Sequence, residues 1–260
     1  MSPRRRESDP GPTQAAALAE ALGASILSGE LGLDAPLREE NVAERYGASR
    51  HTVRAALQTL AAERLVTIEP YRGARVANFD NDAVEALQEL RGALEAEAVR
   101  QVSATHGASW PDAVTRPVTE AIDRLALAEA SGDWLATTRA HAEVHRLIVE
   151  AADSPRIAQA HRQLESEILL LLTHVRPDYP AGSLAQEHTA YLEEVQRAGG
   201  KAVRAHLAHS ADLIRAVPTA ATASSSTGSG DGNVTGPRGG RSAATRSARP
   251  VAAETSSEVS

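Results

Sequence analysis

The chemistry open to this chain starts with its imidazoles and guanidiniums. It has no cysteine, so thiolate metal sites and disulfides are excluded, and its nine histidines are the nitrogen ligands it offers. His141 and His145 lie four apart, at the edge of an apolar stripe of Val144, Leu147, Ile148 and Ala151. His188 sits among Leu184, Tyr191, Leu192 and Val195. His206 lies on the stripe of Val203, Leu207, Ile214 and Val217, with His209 at its margin. One inward-facing histidine is ordinarily a hydrogen-bonded core residue. Inward-facing histidines on three helices, including an i,i+4 pair, are a set that can hold a divalent metal. Arg91 falls in the middle of the stripe Val84, Leu87, Leu94, Ala98 and Val102, with Glu95 beside it. A guanidinium aimed at a core is costly unless paired, so Arg91 either pairs internally with Glu95 or faces a cavity that takes an anionic ligand.

A second group, Arg50, His51 and Arg54, gathers at the head of one helical segment. Ser49 caps that segment, and Val53, Leu57 and Leu60 form its buried side. Arg50 and Arg54 share a face, and guanidiniums at an exposed helix head suit guanine edges or phosphates in a major groove. The elements that position them follow in order: a helix from Ala15 to Leu27, a loop over 29–36, a short helix from Arg38 to Tyr46 stopped by Gly47, and the third helix, running to about Arg64. Two β-prone runs then follow, Leu65–Glu69 and Ala74–Phe79, joined by a turn at Pro70–Gly73 and flanked by Arg72 and Arg75. Helix, helix, helix and hairpin in this order are a winged helix-turn-helix. Charge alone would not suggest it. The chain carries a formal charge of -7, and residues 1–78 hold ten arginines against ten acids, so any basic surface must be local.

Beyond Phe79 the β signals stop. Asp80-Asn81-Asp82 caps a long helix to about His106, and further helices are expected over 111–130, 133–152, 155–174, 184–198 and 200–217. Ser154 before Pro155 reads as a cap with a first-turn proline, and Ser183 with Gln186 as a capping box. The fold class is mainly α: a winged helix-turn-helix over 13–79 and an all-helical bundle over 80–217. A flexible arm over 1–12 precedes them, and a Ser, Thr, Gly and Pro-rich tail over 218–260 is expected to be disordered. Apolar residues make up 42% and aromatics only 3%, so the cores are built from Leu, Val, Ile and Ala. Lys201 is the one lysine, which with the many alanines reads as the mark of a GC-rich genome. No apolar run approaches the roughly 20 residues of a membrane span, and the start lacks a secretion signal, so a cytoplasmic protein without a membrane partner is expected.

The stretch ILSGELGLDAPLREENVAERYGASRHTVRAALQTLAAERLVTIEPYRGARV resembles the N-terminal domain of GntR-family transcriptional regulators nearly end to end. Ser49-Arg50, Val53-Arg54, Ala56-Leu57 and the Arg72-Gly73 wing stand at the family's positions, and Thr52 stands where many relatives have proline. The resemblance implies DNA contact by Arg38, Ser49, Arg50, His51, Thr52, Arg54, Arg72 and Gly73. AVEALQELRGALEAEAVRQVSA, HAEVHRLIVEAADSPRI, QEHTAYLEEV and RAHLAHSADLI are similar to successive segments of the effector (FCD) domain of FadR-like members, in their smaller six-helix subgroup. Many members bind a divalent metal there through one aspartate and three histidines, and the metal helps hold a carboxylate. Carried over, the ligands are His145, His188 and His206, and the effector arginine is Arg91. His141 occupies the usual aspartate position and becomes a fourth metal ligand. Between His188 and His206 the chain is about one helical turn short, which keeps helical phase and selects His206 over His209.

The resemblance thus implies a dimeric repressor on a pseudo-palindromic operator in double-stranded DNA, released by a small carboxylate effector. Zinc is the first choice of metal, with nickel or manganese next. Two other readings belong to different classes. One is a helical metalloenzyme fused to a DNA anchor, against which no carboxylate is placed by motif as a general base. The other is a regulator whose helical domain is metal-free and only dimerises.

Overall fold

The computed structural model describes residues 13–175 and 182–217; the expected arm over 1–12 and tail over 218–260 lie outside them. Thr13 opens the first helix, α1 (Gln14–Leu27), its hydroxyl accepting from the Ala16 amide at 3.2 Å. A two-residue strand, β1 (Pro36–Leu37), precedes α2 (Glu39–Tyr46), which ends on Gly47 at φ 61°, the left-handed position glycine takes without strain. Ser49 then caps α3 (Arg50–Ala62), accepting from the Thr52 amide at 3.1 Å, and the hairpin β2 (Val66–Glu69) and β3 (Gly73–Val76) closes the unit. The antiparallel sheet has the order β1-β3-β2. β1 begins at Pro36, the last residue of the stretch expected to be loop. Two residues carry no periodicity to read, and Pro36 and Leu37 become a strand only by pairing with Arg75 and Ala74 of β3.

The helical domain begins at Asp80, whose carboxylate accepts from the Ala83 amide at 2.8 Å and caps α4 (Asn81–His106). There follow α5 (Asp112–Ser131), α6 (Trp134–Glu150), α7 (Pro155–Arg162), α8 (Glu165–Val175), α9 (Ser183–Ala198) and α10 (Gly200–Ala216). The single helix expected over 155–174 is therefore two, and the six expected helices become seven among the described residues. The break at Gln163–Leu164 lets the halves bury faces against different neighbours. α7 turns His161 toward α4, whereas Leu164, Ile168, Leu170 and Leu171 join the core of the winged helix.

The expected capping box of Ser183 and Gln186 does not form. Gly182 holds the N-cap position at φ 80°, and the buried Ser183 hydroxyl has no hydrogen-bond partner among the described residues. Glu129, at the end of α5, does the capping instead, accepting from the Leu184 and Ala185 amides at 3.2 and 2.9 Å. A cap contributed from 55 residues away leaves no local signature. Ser154 and Pro155 do take the N-cap and first-turn places of α7, although the Ser154 side chain makes no capping bond.

Two cores result. The first joins Leu22 and Ile26 of α1, Val53, Leu57 and Leu60 of α3 and Val76 of the hairpin to Leu87 of α4 and Leu170 of α8. The second lies within the helical bundle and includes Val99, Leu125, Val144, Ile148, Val195 and Leu207. α10 crosses α4 where Gly200 meets Ala96, and a Cβ at position 200 would lie 3.0 Å from the Ala96 Cβ. Gly200→Val should therefore destabilise the fold by about 1–3 kcal/mol, the usual range for overpacking. A urea titration should show a lowered midpoint, with partial recovery when Ala96→Gly is added. Additive effects of the two substitutions would place the strain elsewhere.

Candidate functional site

α6 brings His141 and His145 inward one turn apart, α9 brings His188, and α10 brings His206. The nearest ring nitrogens of these four all lie within 4.8 Å of one another. His209 is exposed and outside the group. The hydrogen bonds around the rings assign their protons. His145 Nδ1 lies 2.9 Å from Glu95 Oε2, and a carboxylate only accepts, so Nδ1 carries the proton and Nε2 a lone pair. His188 Nδ1 donates to the Leu184 carbonyl at 2.7 Å, which leaves its Nε2 a lone pair as well. These two Nε2 atoms are 3.1 Å apart.

Burial disfavours the charged form of both rings. Burial, and then Arg91, holds His145 well below the usual imidazole range, and burial followed by His206 pushes His188 down to about 4. Burial and the neighbouring His188 and His145 likewise hold His141 far down. Two unprotonated nitrogens facing each other repel unless a cation lies between them. Nitrogens bound to one ion at about 2.0–2.1 Å sit roughly 2.9–3.4 Å apart, from right-angled to tetrahedral geometry, and the separation found falls within that range. The donor set therefore fits a divalent metal.

One carboxylate organises this cluster. Glu95 of α4 is fully buried, and Oε1 accepts from Arg91 Nε at 2.6 Å and His161 Nε2 at 3.2 Å. Its Oε2 accepts from His145 Nδ1 and from the Tyr191 hydroxyl at 3.3 Å. Burial alone would raise its pKa, but Arg91, His145 and the hydrogen bonds outweigh that and hold the carboxyl well below the usual range. Tyr191 also stacks on His206, with centroids 4.2 Å apart, and His206 Nδ1 lies 3.3 Å from Glu187 Oε1. The internal Arg91–Glu95 pair is thus present, at 2% and 0% side-chain exposure. Reading by sequence missed His161, the second role of Glu95 and the part of Glu187. Only an acid on a buried stripe was a visible sign, because what Glu95 holds lies on other helices.

On the winged helix, Arg50, His51 and Arg54 are exposed along the head of α3, beside the Ser49 cap and Thr52. Arg38, Arg54, Arg72 and Gly73 line a groove of about 440 Å³ between α3 and the hairpin. Surface acids hold these arginines: Arg50 bonds Glu40 at 2.9 Å, Arg54 bonds Glu39 at 2.8 Å, and Arg72 bonds Glu69 at 3.1 Å. Such exposed pairs are weak, so the guanidiniums can exchange a carboxylate for a phosphate at small cost. This accounts for a balanced charge in a domain with an arginine-lined groove.

Comparison with known proteins agrees with both units. Residues 14–76 match the family model described as bacterial regulatory proteins, gntR family, and residues 86–212 match the FCD domain. The chain is 30% identical over 172 residues to a "Probable D-xylose utilization operon transcriptional repressor" of Paenarthrobacter nicotinovorans, covering 66% of this chain and 74% of that one. It is 26% identical over 204 residues to an uncharacterized HTH-type transcriptional regulator of Paraburkholderia xenovorans, covering 75% and 82%. In fold it is similar to a GntR regulator from Rhodococcus sp. RHA1, with a TM-score of 0.64 at 23% identity over 78% of this chain and 98% of that one. E. coli McbR/YncC is also similar, with a TM-score of 0.56 at 19% identity over 77% and 94%. The relatives are transcriptional regulators rather than enzymes, and no helix among the described residues is long and apolar enough to cross a membrane. With a GntR winged helix followed by an FCD domain, this chain belongs to the GntR family of bacterial transcriptional regulators.

Proposed function

We propose that this regulator is a dimeric, metal-dependent repressor that leaves a pseudo-palindromic operator when a small carboxylate binds its helical domain. The observation that carries the metal reading is the 3.1 Å approach of two lone-pair nitrogens, His145 Nε2 and His188 Nε2, inside a buried cluster of four imidazoles. His141, His145, His188 and His206 are the proposed ligands, and zinc is the first choice, with nickel or manganese next. Bound there, the ion would supply a Lewis-acidic, positively charged point for an anion. Arg91 is the proposed guide for the effector's carboxylate, in addition to its pairing with Glu95. In DNA recognition, the head of α3 enters the major groove with Arg50, His51 and Arg54, aided by Ser49 and Thr52, while Arg38, Arg72 and Gly73 reach the backbone from the groove edge. Two copies related by a two-fold axis match a two-fold operator.

Arg50→Ala and Arg54→Ala should each weaken operator binding by about 1–3 kcal/mol, or roughly 5- to 150-fold, in a gel-shift titration. Circular dichroism should be unchanged, because both side chains are about two-thirds exposed, at 67% and 65%. Unaltered affinity would remove both from the interface.

Protein purified without chelator should carry about one divalent ion per chain by elemental analysis, and His188→Ala should lose most of it. Zinc added at about 100 times its dissociation constant should stabilise the apo protein by about 2.7 kcal/mol. That corresponds to a rise of roughly 5–10 °C in melting temperature for a chain of this size. No bound metal and no response to zinc, nickel or manganese would remove the metal site and leave the histidines as core polar groups.

A further inference from the structure

Three of the four clustered imidazoles are held by groups outside the cluster. His145 is held by Glu95, His188 by the Leu184 carbonyl, and His206 by Glu187 and the face of Tyr191. His141 is different. It meets His145 and His188 edge-on, with centroids at 5.0 and 4.6 Å, and neither of its ring nitrogens hydrogen-bonds to another described residue. Outer hydrogen bonds fix the orientation of a ligating ring and are worth about 10–100-fold in metal affinity. A ring without such a bond forgoes that contribution, so it is the ligand that swings aside most easily.

The charges of the site indicate what would replace it. Arg91 and Glu95 cancel, imidazoles that ligate through a lone pair bring no charge to the ion, and Glu187 stands at the outer side of His206. Both oxygens of Glu95 are already engaged by donors, so neither is free to ligate. With Glu187 only at the outer side of His206, a divalent ion among these rings would keep positive charge in a buried site, which is costly until an anion arrives. A chelating carboxylate offsets it.

We propose that His141 is the exchangeable member of the cluster: it completes the ion's coordination in the effector-free protein and yields its place to a carboxylate oxygen of the effector, while His145, His188 and His206 stay bound. This rests on the metal reading above. Full-length protein loaded with cobalt(II) and probed with oxalate tests it, with X-ray absorption counting the imidazoles on the ion. The wild type should go from four imidazoles to three as oxalate is added. His141→Ala, and His141→Gln as a variant of closer size, should bind cobalt within about tenfold of the wild type, as expected for a ligand without outer support. His188→Ala and His206→Ala should lose about 100-fold or more, beyond the loss of an outer-shell partner alone. Four imidazoles retained by the wild type at excess oxalate would overturn the proposal, as would a loss of metal in both His141 variants as complete as in His188→Ala. A wild type that binds no cobalt fails at an earlier step, and there the metal reading falls as well.

Discussion

A carboxylate with no exposure to solvent sits where four helices of the FCD domain meet. Ionised Glu95 in that position would cost several kcal/mol unless its lone pairs were used. They are used by one donor each from Arg91 of its own helix, His145 of α6, His161 of α7 and Tyr191 of α9. Each partner is itself placed by a different segment, so the hydrogen-bond demand of one side chain sets the mutual position of α4, α6, α7 and α9. The same bond that satisfies Glu95 orients the His145 ring and puts its free nitrogen toward His188. The interactions that keep the bundle in register are therefore those that would orient a ligand set.

The break between α7 and α8 follows from this arrangement. A continuous helix would have to keep His161 on Glu95 while presenting Leu170 and Leu171 to the winged helix, and the two demands point in different directions. With the break, α8 delivers its leucines to the core that contains Leu22, Val53 and Leu60. Arg64, just past α3, lies 3.7 Å from Glu167 of α8, and Trp134 Nε1 at the start of α6 donates to the Leu172 carbonyl at 3.0 Å. α6, which carries two of the histidines, is thus packed through α8 onto the DNA-binding unit. A continuous, well-packed route of this kind is what a shift at one site needs in order to be felt at another.

Much of this was legible in the sequence. The order of helices and hairpin, the Ser49 and Asp80 caps, the stop at Gly47 and the inward phase of the four histidines all follow from periodicity and local backbone chemistry, which act within a few residues. The Arg91–Glu95 pair was legible as an i,i+4 possibility. Tertiary packing decided whatever depended on groups far apart in the chain. β1 exists because β3 offers it a ladder, and α9 starts where Glu129 caps it, not at a Ser183 box. α7 and α8 separate because they face different cores. Between the two open readings of Arg91, local phase could not choose, since the environment that makes a buried guanidinium tolerable is assembled by three other helices. Periodicity shows which way a side chain faces along its own helix; what it meets there depends on how the helices pack.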